Sequence, residues 1–251
     1  MITRVVSLGD SFSCGEGVGV RVALRRTWVG LLADGLAGGC LRPLAAPGSV
    51  VSDVRVRQLP LALAAAPGLA TLLVGLNDVI RAGFNVARVR ADLRHVVGEL
   101  RAGGAAVLVA RLHDPSALLP VPRSLRRAVR ARIAVINDAI DTAARDDPGV
   151  HVLDLAAVPA LCGRAAWAVD RLHPSPLGHF AMATAALELL DRVGFAATPP
   201  VVAAPEAALV GSGDEVRWLV RHGLPWFAAH SRQVVLPAAG MAVCRAPASQ
   251  L

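Results

Sequence analysis

Short, unbroken apolar runs alternate along the chain with longer segments whose apolar positions recur at helical spacing. Residues 69–74, 105–110 and 150–153 are apolar at nearly every position rather than at every second one, and residues 2–8 carry Ile2, Val5, Val6 and Leu8 in a shorter run of the same kind. Such runs suit strands buried on both faces. A weaker strand is expected at residues 41–46, despite Pro43. Helical spacing marks residues 27–36, 51–66, 86–102, 123–145 and 176–193. Pro60 should kink or divide the second of these, and Gly103-Gly104 should stop the third. Continuous apolar strands separated by helices predict a parallel sheet covered on both faces. The fold class expected is therefore α/β: a three-layer α/β/α sandwich around a five-stranded, flavodoxin-like parallel sheet. Residues 1–195 would form this domain.

The remainder differs in character. Residues 196–205 are rich in alanine and proline and read as a linker. Residues 214–236 then place Trp218, Leu219, Leu224, Trp226 and Phe227 among Arg217, Arg221, His222 and Arg232. This predicts a helical C-terminal extension, residues 196–251 being linker and arm. Packing on the main domain within the same chain is the expected role. A lid, a partner surface and an amphipathic membrane contact remain open.

Composition narrows the class. The chain has 251 residues, 54% hydrophobic and 18% charged, which fits a folded globular protein. Its formal charge of +7 invites a nucleic-acid reading, but lysine is absent and arginine supplies all 26 basic residues. They are scattered, apart from a helically spaced group at residues 123–132 that reads as a solvated face, with a phosphate-binding patch as the alternative. No nucleic-acid partner is expected. No apolar run is long enough to span a bilayer, so stable membrane insertion is not expected either. The first strand follows Met1 too closely to leave room for a signal peptide, and a cytoplasmic protein is the expectation. Cys14, Cys40, Cys162 and Cys244 form no C-x-x-C pair, and the histidines form no H-x-x-x-H pair. Neither a metal nor another cofactor is expected.

Ligands of parallel sheets sit beyond the carboxyl ends of the strands. At those ends stand Gly9-Asp10-Ser11, Pro47-Gly48-Ser49, Gly75-Leu76-Asn77-Asp78 and the loop Asp170-Arg171-Leu172-His173-Pro174. Taken singly, Ser11 reads as a helix cap, Asn77 as a turn former and His173 as a loop residue. Together they make a chemically complete set. His173 is a candidate base for a Ser11 nucleophile, and Asp170 can hold the required tautomer. The backbone N–H groups of Ser11 and Gly48 and the Asn77 amide can serve a developing oxyanion. Asp10, Arg111 and His113 are candidate substrate contacts, with a structural role as the alternative for the last two. Gly15, Gly17 and Gly19 lack dinucleotide-loop spacing, and the chain contains no G-x-S-x-G elbow. His179 reads as a helix-face or supporting residue.

"GDS", the glycine of "PGSVVSDV", "GLND" and "DRLHP" resemble, in order and spacing, the four blocks of the SGNH (GDSL) hydrolases, closest to cytoplasmic actinobacterial members. The resemblance covers roughly residues 1–193. It implies Ser11 as nucleophile, Asp170 and His173 as the rest of the triad, and Gly48 and Asn77 as oxyanion donors. In the second block Ala45-Ala46-Pro47 precede the glycine, where an asparagine often stands. The expected activity is hydrolysis of a small-molecule carboxylic ester through an acyl-serine. An acyltransferase or tailoring enzyme with the same triad, and a non-catalytic binding module, are the alternatives. Oligomeric state is not legible.

Overall fold

The first strand, β1 (Val5–Gly9), is buried at every position, and so is β5 (Leu69–Leu73). Strands without a polar face need cover on both sides, and the chain supplies it. In the computed structural model, which describes residues 4–118, 122–200, 202–206 and 210–230, β1 and β5 lie at the centre of a five-stranded parallel sheet. The other strands are β4 (Leu41–Pro43), β6 (Ala106–Arg111) and β7 (Val150–Asp154), and the order is β4-β1-β5-β6-β7. Register is parallel throughout, with Val5 opposite both Leu41 and Leu69, Leu69 opposite Ala106 and Val107 opposite Val150.

On one face α2 (Trp28–Gly35) packs against α8 (Pro176–Arg192). The other face carries α3 (Val51–Asp53), α4 (Leu59–Ala64), α6 (Val86–Ala102) and α7 (Arg123–Asp146). Local signals set several of these starts. Thr27 caps α2 by accepting from the Gly30 N–H at 3.3 Å, Asn85 caps α6 by accepting from Arg88, and Ser175 caps α8 ahead of Pro176. Trp28, Leu8, Leu72, Leu108, Ile136 and Met182 are fully buried at the centre of the core.

The helical stretch of residues 51–66 is interrupted, as expected, but just upstream of Pro60. A π-turn, Val54–Gln58, joins α3 to α4, and the Leu59 N–H donates to the Val54 carbonyl five residues back. Proline removes a donor from the next turn, and the wider turn just upstream absorbs the mismatch. The first residues of the tail are bonded to the end of α2: Thr198 donates its N–H to the Gly35 carbonyl at 2.9 Å, and Ala37 donates to Ala196. A two-stranded hairpin absent from the sequence reading, β2 (Glu16–Gly17) with β3 (Val20–Arg21), follows α1 (Ser11–Cys14). A short α5 (Leu76–Ile80) follows β5. The C-terminal region is helical, as α9 (Ser212–Trp218), a π-turn Leu219–Gly223 and α10 (Leu224–His230). The expected helical span ran to residue 236, and its last six positions lie outside the described residues. No helix among the described residues is long and apolar enough to cross a membrane.

Two glycines should respond oppositely to alanine. Gly9 has φ +136, and a Cβ there would lie 2.0 Å from the Leu73 carbonyl oxygen. Gly9→Ala should therefore destabilise by at least about 3 kcal/mol or prevent folding. Gly98 lies inside α6 with nothing within 4 Å of an added Cβ. Gly98→Ala should stabilise by about 0.5–1 kcal/mol. Urea unfolding of the two variants beside the wild type checks both.

Candidate active site

The order of the sheet reverses direction between β1 and β5, and the carboxyl ends of those two strands form the floor of the site. β1 ends on Gly9, whose close approach to β5 turns the chain sharply into α1. The Gln58 side chain clamps this turn: its Oε1 accepts the Gly9 N–H and its Nε2 donates to the Gly9 carbonyl, each at 2.8 Å. Asp10 then caps α1 by accepting from the Phe12 N–H at 3.1 Å. Ser11 therefore occupies the first position of a helix, where a backbone N–H has no intrahelical acceptor.

The loop ahead of α8 delivers the facing group. Asp170 Oδ1 accepts from the N–H groups of Leu172 and His173, at 3.0 and 2.9 Å, so the carboxylate is fixed by its own loop. Its Oδ2 lies 2.6 Å from His173 Nδ1, and His173 Nε2 lies 2.8 Å from Ser11 Oγ. With the ring proton on Nδ1, the imidazole donates to Asp170 and accepts from the Ser11 hydroxyl. Ser11, Asp170 and His173 expose only 9%, 8% and 8% of their surface. The hairpin contributes to this cover, since a Cβ on Gly17 would come within 2.5 Å of His173 Nδ1.

A third segment, residues 46–51, bends over the same rim. Gly48 has φ +73 with open space where a Cβ would be, so conformation rather than crowding calls for glycine there. Its carbonyl accepts from Arg81 Nη2 at 2.8 Å, and its N–H donates to no group among the described residues. Asn77 Nδ2 donates to the Ser49 carbonyl at 3.0 Å and to Asp10 Oδ2 at 3.2 Å, and Asp78 Oδ2 accepts from the Val51 N–H. The pair after β5 thus ties the Gly48 loop to the turn after β1. Burial pushes the Asp10 carboxyl up to about 7, against the opposing pull of the Phe12 N–H and His173. Burial likewise raises Asp78 to about 6.

The remaining candidates have other surroundings. Asp10 is 2% exposed and engaged with Phe12 and Asn77. His113 stacks on Trp167 at 4.2 Å and lies 5.9 Å from the Phe12 ring, and its Nε2 has no partner among the described residues. Burial lowers its pKa to about 4, which keeps it neutral. Arg111 pairs with Asp154 at 2.9 Å and Asp141 at 3.3 Å, in a groove shared with Asp114 and Arg130, and makes no hydrogen bond to Ser11, Asn77 or His173. His179 is buried and accepts from the Trp28 N–H at 3.2 Å. Gln58, Arg81 and Gly17 escaped the sequence reading. Each works through the backbone geometry of a distant segment, and no spacing rule announces that. Cys244 lies outside the described residues. No group of three or more His, Cys, Asp or Glu among the described residues is placed to hold a metal.

Comparison with known proteins bears on the family and the fold. The model of the GDSL-like Lipase/Acylhydrolase family matches residues 7–181. No curated protein matches the chain. Among solved structures, the esterase EstA from Pseudoalteromonas sp. is 17% identical with a TM-score of 0.60, the match covering 76% of this chain and 98% of that one. TesA is 21% identical with a TM-score of 0.60, over 76% and 99% of the two chains. Axe2, an acetylxylan esterase from Geobacillus stearothermophilus, is 23% identical with a TM-score of 0.57, over 77% and 94%. At these identities the likeness is one of fold.

The supporting histidine has a testable signature. Burial, with His173 nearby, lowers the His179 pKa from 6.5 to about 3. Below pH 6.5 the unfolded chain takes up this proton and the folded chain does not, so this contribution to stability falls as the pH drops toward 3. His179→Asn offers an oxygen to Trp28 without titrating. Between pH 6.5 and 4 the variant should gain on the wild type by about 1.4 kcal/mol per pH unit, read from urea unfolding at each pH. A pH-independent difference would show that His179 is not held neutral.

Proposed function

The chain belongs to the GDSL-like lipase/acylhydrolase family, and we propose that it is a serine esterase that cleaves a carboxylic ester through an acyl-Ser11 intermediate. The observation that carries this reading is the unbroken Asp170–His173–Ser11 chain of hydrogen bonds, at 2.6 and 2.8 Å. Residues 1–195 are read as the hydrolase domain and residues 196–251 as its linker and arm, and the family match ending at residue 181 supports that division.

The steps follow from the geometry. His173 Nε2 takes the Ser11 proton as Oγ attacks the ester carbonyl, and the resulting imidazolium is held by Asp170. The carbonyl oxygen becomes an oxyanion. In this reading it is met by the N–H groups of Ser11 and Gly48 and by Asn77 Nδ2, which exchanges its longer bond to Asp10 for one to the oxyanion. Collapse expels the alcohol, which leaves with the proton from His173. Water repeats the sequence on the acyl-enzyme, giving the carboxylic acid and restoring Ser11. His113, Trp167 and Phe12 stack behind the triad, and the crevice beside them has no room for a water molecule. The substrate contacts assigned to Asp10, Arg111 and His113 are then better read as support for the residues around them.

Two measurements test the mechanism. The Pseudoalteromonas esterase is described as inhibited by monoethylphosphonate. A fluorophosphonate probe should likewise label this chain at Ser11, and Ser11→Ala should abolish labelling and lower kcat on p-nitrophenyl esters by about 10⁴-fold or more with folding intact. Equal turnover by the wild type and Ser11→Ala would exclude an acyl-serine. Asn77→Ala should reduce kcat by about 10²–10³-fold with KM nearly unchanged, because the bond to the oxyanion, lost along with its resting bonds to Ser49 and Asp10, forms only in the transition state. A rise confined to KM would make Asn77 a ground-state contact.

A further inference from the structure

The loop that carries Asp170 and His173 has an unusual backbone. Arg171, between them, has φ +57, a left-handed conformation that only firm surroundings sustain in a residue other than glycine. Part of the support is local: Ala168 donates its N–H to the His173 carbonyl at 2.8 Å, and Arg171 donates to Ala168 at 3.0 Å. The rest comes from the C-terminal arm. Arg171 forks onto Glu215 of α9, with Nε 3.0 Å from Oε1 and Nη2 on Oε2, while its Nη1 reaches the Leu118 carbonyl at 3.2 Å. The same Glu215 Oε1 accepts from Arg164 Nη2 at 2.9 Å. Arg164 in turn holds the Trp167 and Ala168 carbonyls with Nη1, at 2.8 and 2.9 Å. One carboxylate therefore joins two guanidinium groups, each bonded to the loop's own backbone or to the segment beside it. A two-ended fork fixes direction as well as distance.

The arm grips the other side of His173 as well. Trp218 Nε1 donates to the Val18 carbonyl at 2.6 Å, and the His222 ring lies where a Cβ on Gly19 would be, 2.6 Å from His222 Cγ. Val18 and Gly19 form the tip of the β2–β3 hairpin, whose Gly17 backs onto the His173 imidazole. The imidazole is thus bounded by two segments, and the arm is bonded to both.

We propose that Glu215 is a positioning residue for the esterase reaction, acting through Arg171 and Arg164 on the orientation of Asp170 and His173. The arm is then a working part of the active site. This rests on the reading of Ser11, His173 and Asp170 as the triad. Removing the carboxylate leaves two arginines facing each other and frees the left-handed residue to relax. The cost falls on His173 alignment, hence on turnover.

The test uses the full chain with p-nitrophenyl acetate as probe. Glu215→Gln should lower kcat about 10-fold with KM changed less than twofold. Glu215→Asp should restore part of kcat. Because Glu215 acts through Arg171 as well as Arg164, the loss in the double variant Glu215→Gln/Arg171→Ala should be smaller than the sum of the two single losses. Wild-type kcat in Glu215→Gln, a loss confined to KM, no rescue in Glu215→Asp, or additive losses in the double variant would each overturn the proposal. Should Glu215→Gln fail to fold, Arg171→Lys keeps the charge without the fork, and an unchanged kcat in it overturns the proposal equally. Ser11→Ala run alongside separates the two readings. Turnover that needs Ser11 but ignores Glu215 removes this inference alone, whereas turnover independent of Ser11 removes the triad and this inference together.

Discussion

The Leu73 carbonyl presses on the end of β1 so closely that only glycine fits at position 9, and the rest of the site is arranged around that approach. The Asp10 N–H donates to the same carbonyl at 3.2 Å, so the turn is welded to the neighbouring strand rather than left as a loop. From there the chain has one course. Asp10 caps, Ser11 opens the helix, and the hydroxyl emerges where the sheet reverses direction. Gln58 closes the turn from beneath with both ends of its amide. A side chain at position 9 would part β1 from β5 and displace Asp10, Ser11 and Asn77 together.

Carboxyl groups at this rim divide by environment. Asp170 is held by two backbone N–H donors and the His173 ring, and burial raises Asp10 to about 7 and the half-buried Asp78 to about 6. Raised carboxyls have a linkage opposite in sign to that of a histidine held neutral: the stability they contribute is present at low pH and is lost as pH rises through the folded values. The fold thus carries opposing pH slopes over overlapping windows, and its net response to mild acid is shallower than either group alone would give.

What the sequence made legible was whatever repeats or punctuates. Strands β1, β5 and β6 were readable because burial on both faces keeps them largely apolar, and β7, at the sheet edge, because Val150, Val152 and Leu153 stand close together. The glycine stop after α6 was readable because a helix end favours residues with backbone freedom. The four groups at the strand ends were readable because a parallel sheet aims every carboxyl end at one rim, and the structure does bring Ser11, His173, Asp170 and Asn77 there. The Val54–Gln58 turn was hidden because Pro60 pointed to a break downstream of the place where the helix widens. Glu215 was hidden for a different reason. It is one charged residue on an amphipathic arm, and only its partners in space, Arg164 and Arg171, set it apart from the other surface carboxylates.

Ser11 and His173 hydrogen-bond across 162 positions of chain. During synthesis the serine and its turn emerge early, and β5 follows soon enough to pair with β1 while translation continues. The imidazole belongs to the last loop before the closing helix. On the proposed triad, a nascent chain that presents the folded Ser11 turn still lacks the imidazole that would draw off its proton, so turnover would itself report that the first turn and the last loop of the domain have met.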